Sequence, residues 1–364
     1  MKSHYNEKIN DIKNHIIISF NNDFTKGKQI DSSWLKSIIK EIHNRPKGDN
    51  DFTTYFTPFI SVYIEESKSR LNLRTGKKIS ASTIKKYSTT LNTITEYEEL
   101  KKYKFRLTEI DLKFHNDFTK YLKIDKKYGS TYISKIISDI KTMVRDAKGK
   151  GYDIHPEIES SKFTFRKDIP LDTYLNNKEI NIIFKHNLED NDRLDNARDL
   201  FIIGLRTGLR ISDLKRINDF LFKENKIVIA STEKTGASAE IPIHPQIKKI
   251  LKKRNNKLPR IISDQKFNLY VKDLCEDAGF TQKILGNLKN PETNRKERGY
   301  FEKYKLISSH TCRRSFATNL YGKIDNKTIM AITTHKSHSQ FLSYVKTTHS
   351  EHVEKLAEFW HANS

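Results

Sequence analysis

Apolar residues recur along most of the chain at the three- and four-residue spacing of helices buried on one side. Trp34, Leu35, Ile38, Ile39 and Ile42 repeat in this way behind Ser32 or Ser33, either of which suits an N-cap. Asn44-Arg45-Pro46-Lys47-Gly48 is a helix breaker, so residues 1–48 read as a separate N-terminal helical segment. Four patterns follow between 51 and 155. Phe56, Phe59, Ile60, Tyr63 and Ile64 share one face. Ile84, Tyr87, Leu91 and Ile94 follow Ser82, the expected cap, and Phe114, Phe118, Tyr121 and Leu122 follow an expected start at Thr108. Ile133, Ile136, Ile137, Ile140, Met143 and Val144 form the clearest buried stripe. Lys141, Arg145 and Lys148 lie off that stripe at i, i+4, i+7, a basic edge that is either solvated or turned to phosphate. Residues 156–172 hold Pro156 and Pro170, show no sustained period and read as an interdomain linker. From 173 to 364 helix patterns resume around one β signal. A β-branched run at 226–232 and a short apolar run at 240–243 are parted by a glycine-containing turn, which predicts a hairpin. The expected fold class is mainly α with a small antiparallel β-sheet, in two large domains.

Charge narrows the partners. Lys and Arg number 67 against 45 Asp and Glu, a net charge of +22 that favours a polyanion. Twenty Phe and 16 Tyr exclude a wholly disordered basic chain. The basic residues are spread out rather than gathered beside an apolar segment, and Ile16-Ile17-Ile18 is far too short to span a bilayer. Nucleic acid is therefore expected, with no membrane role. Two cysteines, Cys275 and Cys312, build no disulfide framework and fit a reducing compartment.

Four stretches carry candidate chemistry. In residues 207–214, Gly208 is a natural helix stop, Ser212 an expected cap, and Arg210 falls in the tight turn between. Asp213 either orients that guanidinium or forms a structural ion pair with it. Lys234 lies at the hairpin tip, as a solubilising turn residue or as a mobile proton donor. In residues 308–321, Ser309 is the expected cap. His310 and Arg313 then share one face of a first helical turn, where free N–H groups already favour an anion. His335 and Tyr344 are nine residues apart on a stretch that reads helical. A phenol becomes a useful nucleophile where neighbouring cations stabilise its anion. His335, His338, His349 and His352 also suggest zinc, but four histidines without cysteine or carboxylate are not a common structural set.

Taken in order, TGLRISDL, the STEKTGASAEIPI hairpin, HTCRRSFATNLY and HKSHSQFLSYVK resemble the tyrosine recombinase (phage integrase) family, most of all integrases of bacterial conjugative transposons and related mobile elements. The resemblance implies a helical, SAM-like core-binding domain at 51–155 and a catalytic domain of the DNA breaking-rejoining fold at 173–364. It makes Arg210 and Arg313 the clamp on the phosphate oxygens, Lys234 the general acid, His310 a proton-handling group and His335 a second donor. Tyr344 becomes the nucleophile and Asp213 the acidic support. It also implies a 3′-phosphotyrosyl intermediate with neither metal nor nucleotide cofactor. The implied partners are double-stranded DNA recombination sites, a homotetramer on paired sites and accessory DNA-bending or excision factors, in a bacterial cytoplasm near the nucleoid. The amphipathic tail with Val353, Leu356, Ala357, Phe359 and Trp360 would dock on a neighbouring protomer or on its own domain. Thr334 departs from the family's usual Gly before the histidine, and residues 1–48 show no strands of an arm-binding domain. Two alternatives remain open at this stage: a DNA-binding regulator without strand transfer, and a type IB topoisomerase-like enzyme.

Overall fold

The structure, a computed structural model, describes residues 2–42, 51–72, 76–168, 171–223, 225–234, 236–293, 295–346, and 353, 356, 357, 360 and 361. It comprises two compact units, Met1–Lys167 and Asp168–Ser364. Among the described residues no helix is long and apolar enough to cross a membrane.

The first unit is helical. α1 (Lys2–Thr25) packs on α2 (Ser32–Ile42) through Phe20, which stacks on Phe24 and meets Trp34 edge-on. The cap of α2 is Asp31, whose carboxylate accepts from the Trp34 N–H, rather than Ser32 or Ser33. Of the expected stripe, Ile38 is buried while Leu35 and Ile39 stay exposed, and the side chain of Ile42 lies outside the described residues, as does the 44–48 breaker.

α3 (Phe56–Ser69), α4 (Ala81–Lys101), α5 (Leu112–Ile124) and α6 (Ser130–Gly149) turn the four predicted stripes into one core. Tyr97 lies at its centre, against Phe105, Phe114, Phe118 and Tyr121. Two caps differ from expectation. Ser80, not Ser82, accepts from the Thr83 N–H, and Asp111 rather than Thr108 opens α5 by accepting from the Phe114 N–H. A carboxylate at that position both satisfies a free N–H and complements the helix dipole, so it outcompetes a hydroxyl three residues earlier. Ile158 and Phe163, within the 156–172 segment, are buried in this core.

The second unit is built around α8. α7 (Asn177–Lys185), α8 (Asp192–Thr207), α9 (Ile211–Leu214), β1 (Leu221–Lys223), β2 (Lys226–Ile229) and β3 (Ala239–Pro242) come first. α10 (Pro245–Lys253), α11 (Asp264–Asp277), β4 (Lys283–Lys289), β5 (Lys296–Glu302), α12 (Lys303–Leu306), α13 (Ser309–Leu320), α14 (Asn326–Thr333) and α15 (His338–Leu342) follow. From Asn196 to Leu205 every residue of α8 is buried, which is the behaviour of a helix packed on all sides. It touches α7, α10, α11 and α13. Its buried Asp199 is held by Arg198 and by Lys253 and Arg254, so the charge is paired rather than stranded.

The predicted hairpin is present, but its first strand is shorter than the 226–232 run, its second starts one residue earlier than expected, and Leu221–Lys223 adds a third strand beside β2. Ile227, Ile229 and Ile241 point into the core. A second sheet, the antiparallel β4–β5 ribbon, was not foreseen. Its strands carry Gly286, Asn287, Glu297, Arg298 and Gly299 at their centres, so they offer no alternating apolar signal.

Candidate active site

The turn that ends α8 organises the site. Gly208 takes the left-handed conformation at φ 65°, and a Cβ there would approach the Phe316 ring to 2.7 Å. The next residues lead directly to Arg210, which occupies the N-cap position of α9 in place of the expected Ser212. The Gly208 carbonyl accepts from Arg313 Nη1 at 3.1 Å. One glycine turn thus holds the Arg313 guanidinium and leads the backbone to Arg210. Arg210 Nη1 donates to Thr334 Oγ1 at 3.3 Å.

Arg313 is buried on α13, whose cap is Ser308 rather than Ser309, and it also donates to the Thr333 carbonyl. Its Cζ lies 5.5 Å from the centroid of the Tyr344 ring. Burial, then the Arg210 cation, pull its pKa down to about 9, while Tyr344 and Asp213 oppose that shift. Two like charges are held close enough to disfavour one another, an arrangement that an entering oxyanion relieves.

His335 and Tyr344 do not share a helix. Thr334 ends α14 at φ 53°, His335 follows it, and Tyr344 comes two residues after α15 in a turn closed by its own N–H to the Phe341 carbonyl at 2.9 Å. The rings still meet, with centroids 4.9 Å apart. The left-handed turn forms without a glycine: Thr334 itself adopts the strained conformation, and its hydroxyl accepts from Arg210.

The hydrogen bonds fix the tautomer of His335. Thr333 Oγ1 donates to the Ile329 carbonyl at 2.6 Å, so it accepts from His335 Nδ1 at 2.8 Å. Nε2 then presents a lone pair to Arg313 Nη2 at 3.3 Å. Burial, followed by the Arg313 and Arg210 cations, lowers the His335 pKa to about 3, in keeping with a neutral ring.

Asp213 is buried and accepts from the Glu233 N–H at 2.8 Å. That contact anchors the turn bearing exposed Lys234, so the carboxylate reaches the hairpin rather than gripping Arg210 as expected. Lys234 is near enough that its charge, after burial and Arg314, helps lower the pKa of His310. Arg210, Arg313, His335 and Tyr344 therefore form a contiguous group, and His310 on α13 feels the charges of Arg314 and Lys234.

Several contributors carried no sequence signal. Thr318 Oγ1 donates to the Tyr344 carbonyl at 3.5 Å and accepts from the Lys346 N–H at 3.0 Å, bracketing the tyrosine from α13. Asp172 pairs with Arg314 at 2.8 Å and with Lys346 at 3.6 Å. In the first unit, Lys141 donates to the Ser160 carbonyl and Arg145 pairs with Glu159, so two of the three residues on the basic edge have partners within the chain. His338 bonds Asn326, while His349 and His352 lie outside the described residues. The described tail residues Val353, Leu356 and Trp360 are exposed, and Phe359 lies outside the described residues.

Comparison with known proteins decides the family. The model of the phage integrase SAM-like domain matches residues 55–159, and that of the phage integrase family matches residues 173–351. The chain belongs to the phage integrase family. It is a tyrosine recombinase by its catalytic domain. The recombinase shares its fold with a lambda integrase tetramer bound to a Holliday junction, at 16% identity, covering 85% of this chain and 87% of that one, with a TM-score of 0.56. It is similar to the Tn1549 transposon integrase in complex with circular intermediate DNA, at 16% identity, 82% and 98% coverage and a TM-score of 0.56. XerH site-specific recombinase bound to palindromic difH substrate gives 17% identity, 84% and 85% coverage and a TM-score of 0.53. No curated protein matches the chain.

Proposed function

We propose that this recombinase cleaves and rejoins duplex DNA at specific sites through a 3′-phosphotyrosyl intermediate, integrating or excising a mobile element. The observation that carries the proposal is the Tyr344 ring, packed against both the His335 ring and the buried guanidinium of Arg313, which is itself hydrogen-bonded to His335 and feels the charge of Arg210. In this reading the two guanidiniums hold the non-bridging oxygens of the scissile phosphate. The Tyr344 hydroxyl oxygen attacks phosphorus, and the bond from phosphorus to the 5′-oxygen breaks. The phenolic proton passes to His310, which its lowered pKa keeps available as a base, and Lys234 protonates the departing 5′-oxygen. A 5′-hydroxyl from another strand reverses these steps and releases Tyr344.

His335 acts late. Its Nε2 accepts from Arg313 before DNA binds. A phosphate drawing Arg313 toward itself frees Nε2 and, as an anion, favours its protonation, after which the ring becomes a donor. Asp213 supports the reaction by holding the Lys234 turn. The net charge of +22 supplies a salt-dependent grip on the duplex, to which Lys148 and, in competition with their internal partners, Lys141 and Arg145 contribute. The DNA-bound relatives, one of them a tetramer, support action on paired sites as a homotetramer.

A nicked duplex carrying the element's ends tests the proposal. The wild-type chain should trap a covalent protein–DNA adduct that Tyr344→Phe abolishes, and two sites in one reaction should exchange strands. Adduct formation that survives Tyr344→Phe refutes the chemistry, and relaxation of supercoils without exchange points to a topoisomerase.

A further inference from the structure

The β4–β5 ribbon offers a surface that the cleavage chemistry does not use. Its strands pair in register from Lys283↔Glu302 to Lys289↔Lys296. Side chains alternate between faces along each strand. One face carries Ile284, Gly286 and Phe301 and is turned to α12, since a Cβ on Gly286 would come within 2.4 Å of Leu306. The other face therefore points outward. It carries Leu285 opposite Tyr300, Asn287 opposite Arg298, and Lys289 opposite Lys296. Tyr300 is 71% exposed.

Two features of that face call for an anion. Lys289 and Lys296 are direct cross-strand partners, a like-charge pairing that destabilises a ribbon unless something neutralises it. Neither of them, nor Arg298, has a carboxylate partner among the described residues. The shape is equally specific. Seven residues in each strand span roughly 24 Å, and a two-stranded ribbon is one of the elements that the major groove of B-DNA admits. At its centre stands an amide beside a guanidinium, the side chains that form bidentate hydrogen bonds with adenine and guanine edges.

We propose that the outward face of this ribbon lies in the major groove of the recombination site, with Asn287 and Arg298 reading base edges and Lys289 and Lys296 on flanking phosphates. The proposal rests on the recombinase reading and assigns the site a sequence-determining element. The ribbon is well placed for this work. Lys303, at its base, donates its N–H to the Gln282 carbonyl at 2.9 Å and pairs with Glu179 on α7 at 2.5 Å. Only α12 and a short connection separate β5 from the start of α13, which carries His310 and Arg313. Bases read by the ribbon would thus be held at a fixed offset from the phosphate at Tyr344.

The test is selection from a randomised duplex pool, made in a Tyr344→Phe background so that cleavage plays no part. The parent chain should select a consensus. Asn287→Ala with Arg298→Ala should lose preference at two or three adjacent base pairs and keep the rest. Lys289→Ala with Lys296→Ala should make the slope of log affinity against log salt shallower by about 2. An unchanged consensus in the first variant overturns the proposal whatever the slope does, as does a parent chain that selects no consensus. Thermal melting checks that the variants are folded. Failure of the tyrosine chemistry would appear as missing adduct in the wild-type chain and would leave this readout untouched.

Discussion

His335 offers a quantitative handle on the cationic site. Replacing it with Gln keeps a polar side chain of similar reach and removes the titration. An imidazole in the unfolded chain takes up its proton near 6.5, whereas in the folded site the pKa falls to about 3. Between those values the unfolded chain binds more protons, so stability falls as pH falls. The contribution is fully present above pH 6.5 and is lost progressively toward pH 3. From pH 7 to pH 5 the loss attributable to this one residue is about 2 kcal/mol. Burial is the largest cause of the lowered pKa and the Arg313 and Arg210 cations add to it, with little solvent to screen them at 6% exposure. Urea unfolding of wild type and His335→Gln at both pH values should show the wild type losing about 2 kcal/mol more than the variant. Histidine ring NMR should show that the signal missing from the variant stays at its neutral position down to pH 5. Equal pH dependence in the two proteins, or a wild-type signal titrating near pH 6, would refute the assignment of a neutral ring beside two guanidiniums.

Other substitutions probe the supports. Thr334→Gly relieves a left-handed threonine, an effect worth about 1 kcal/mol and offset by greater freedom of the unfolded chain, so stability should stay within about 1 kcal/mol of wild type. Adduct formation should nevertheless slow, because Arg210 loses its hydroxyl partner; an unchanged adduct rate would contradict that role. Asp213→Ala removes a buried, charge-assisted hydrogen bond and should cost about 2 kcal/mol, with loss of hydrogen-exchange protection at the Glu233 amide. Retained protection would show that the Lys234 turn is held by something else. Gly208→Ala places a Cβ against Phe316 in a positive-φ turn and should destabilise the second unit by about 2 kcal/mol or more in a thermal unfolding assay.

The helices α3 to α6 were legible because each buries a single regular stripe. Ile133 through Val144 kept the predicted face inward, and the Tyr97 cluster drew in the aromatic positions of α5. Caps were less legible, since several polar residues stood within reach of each helix start and only the packed backbone selects one. The β4–β5 ribbon was invisible because its outward face mixes Leu285 and Tyr300 with polar and charged residues and its inward face closes on α12 through a glycine. The residues of the site could be picked out, but their relations could not. Spacing put His335 and Tyr344 on one helix, whereas a left-handed turn and a short helix bring the two rings together by another route. Asp213 appeared to face Arg210 because the two are near in sequence, yet its partner comes from a hairpin twenty residues on. Contacts of that kind depend on tertiary packing, which periodicity does not encode.

The most direct measurement maps the covalent bond itself. The chain is incubated with nicked duplexes enriched from a randomised pool by its own binding, the adduct is digested with trypsin and nuclease, and the nucleotide-bearing peptide is sequenced by mass spectrometry. A 3′-phosphate ester on the Tyr344 oxygen is expected. Nucleotide attached to any other side chain, or tightly bound DNA that yields no adduct at all, would contradict the assignment.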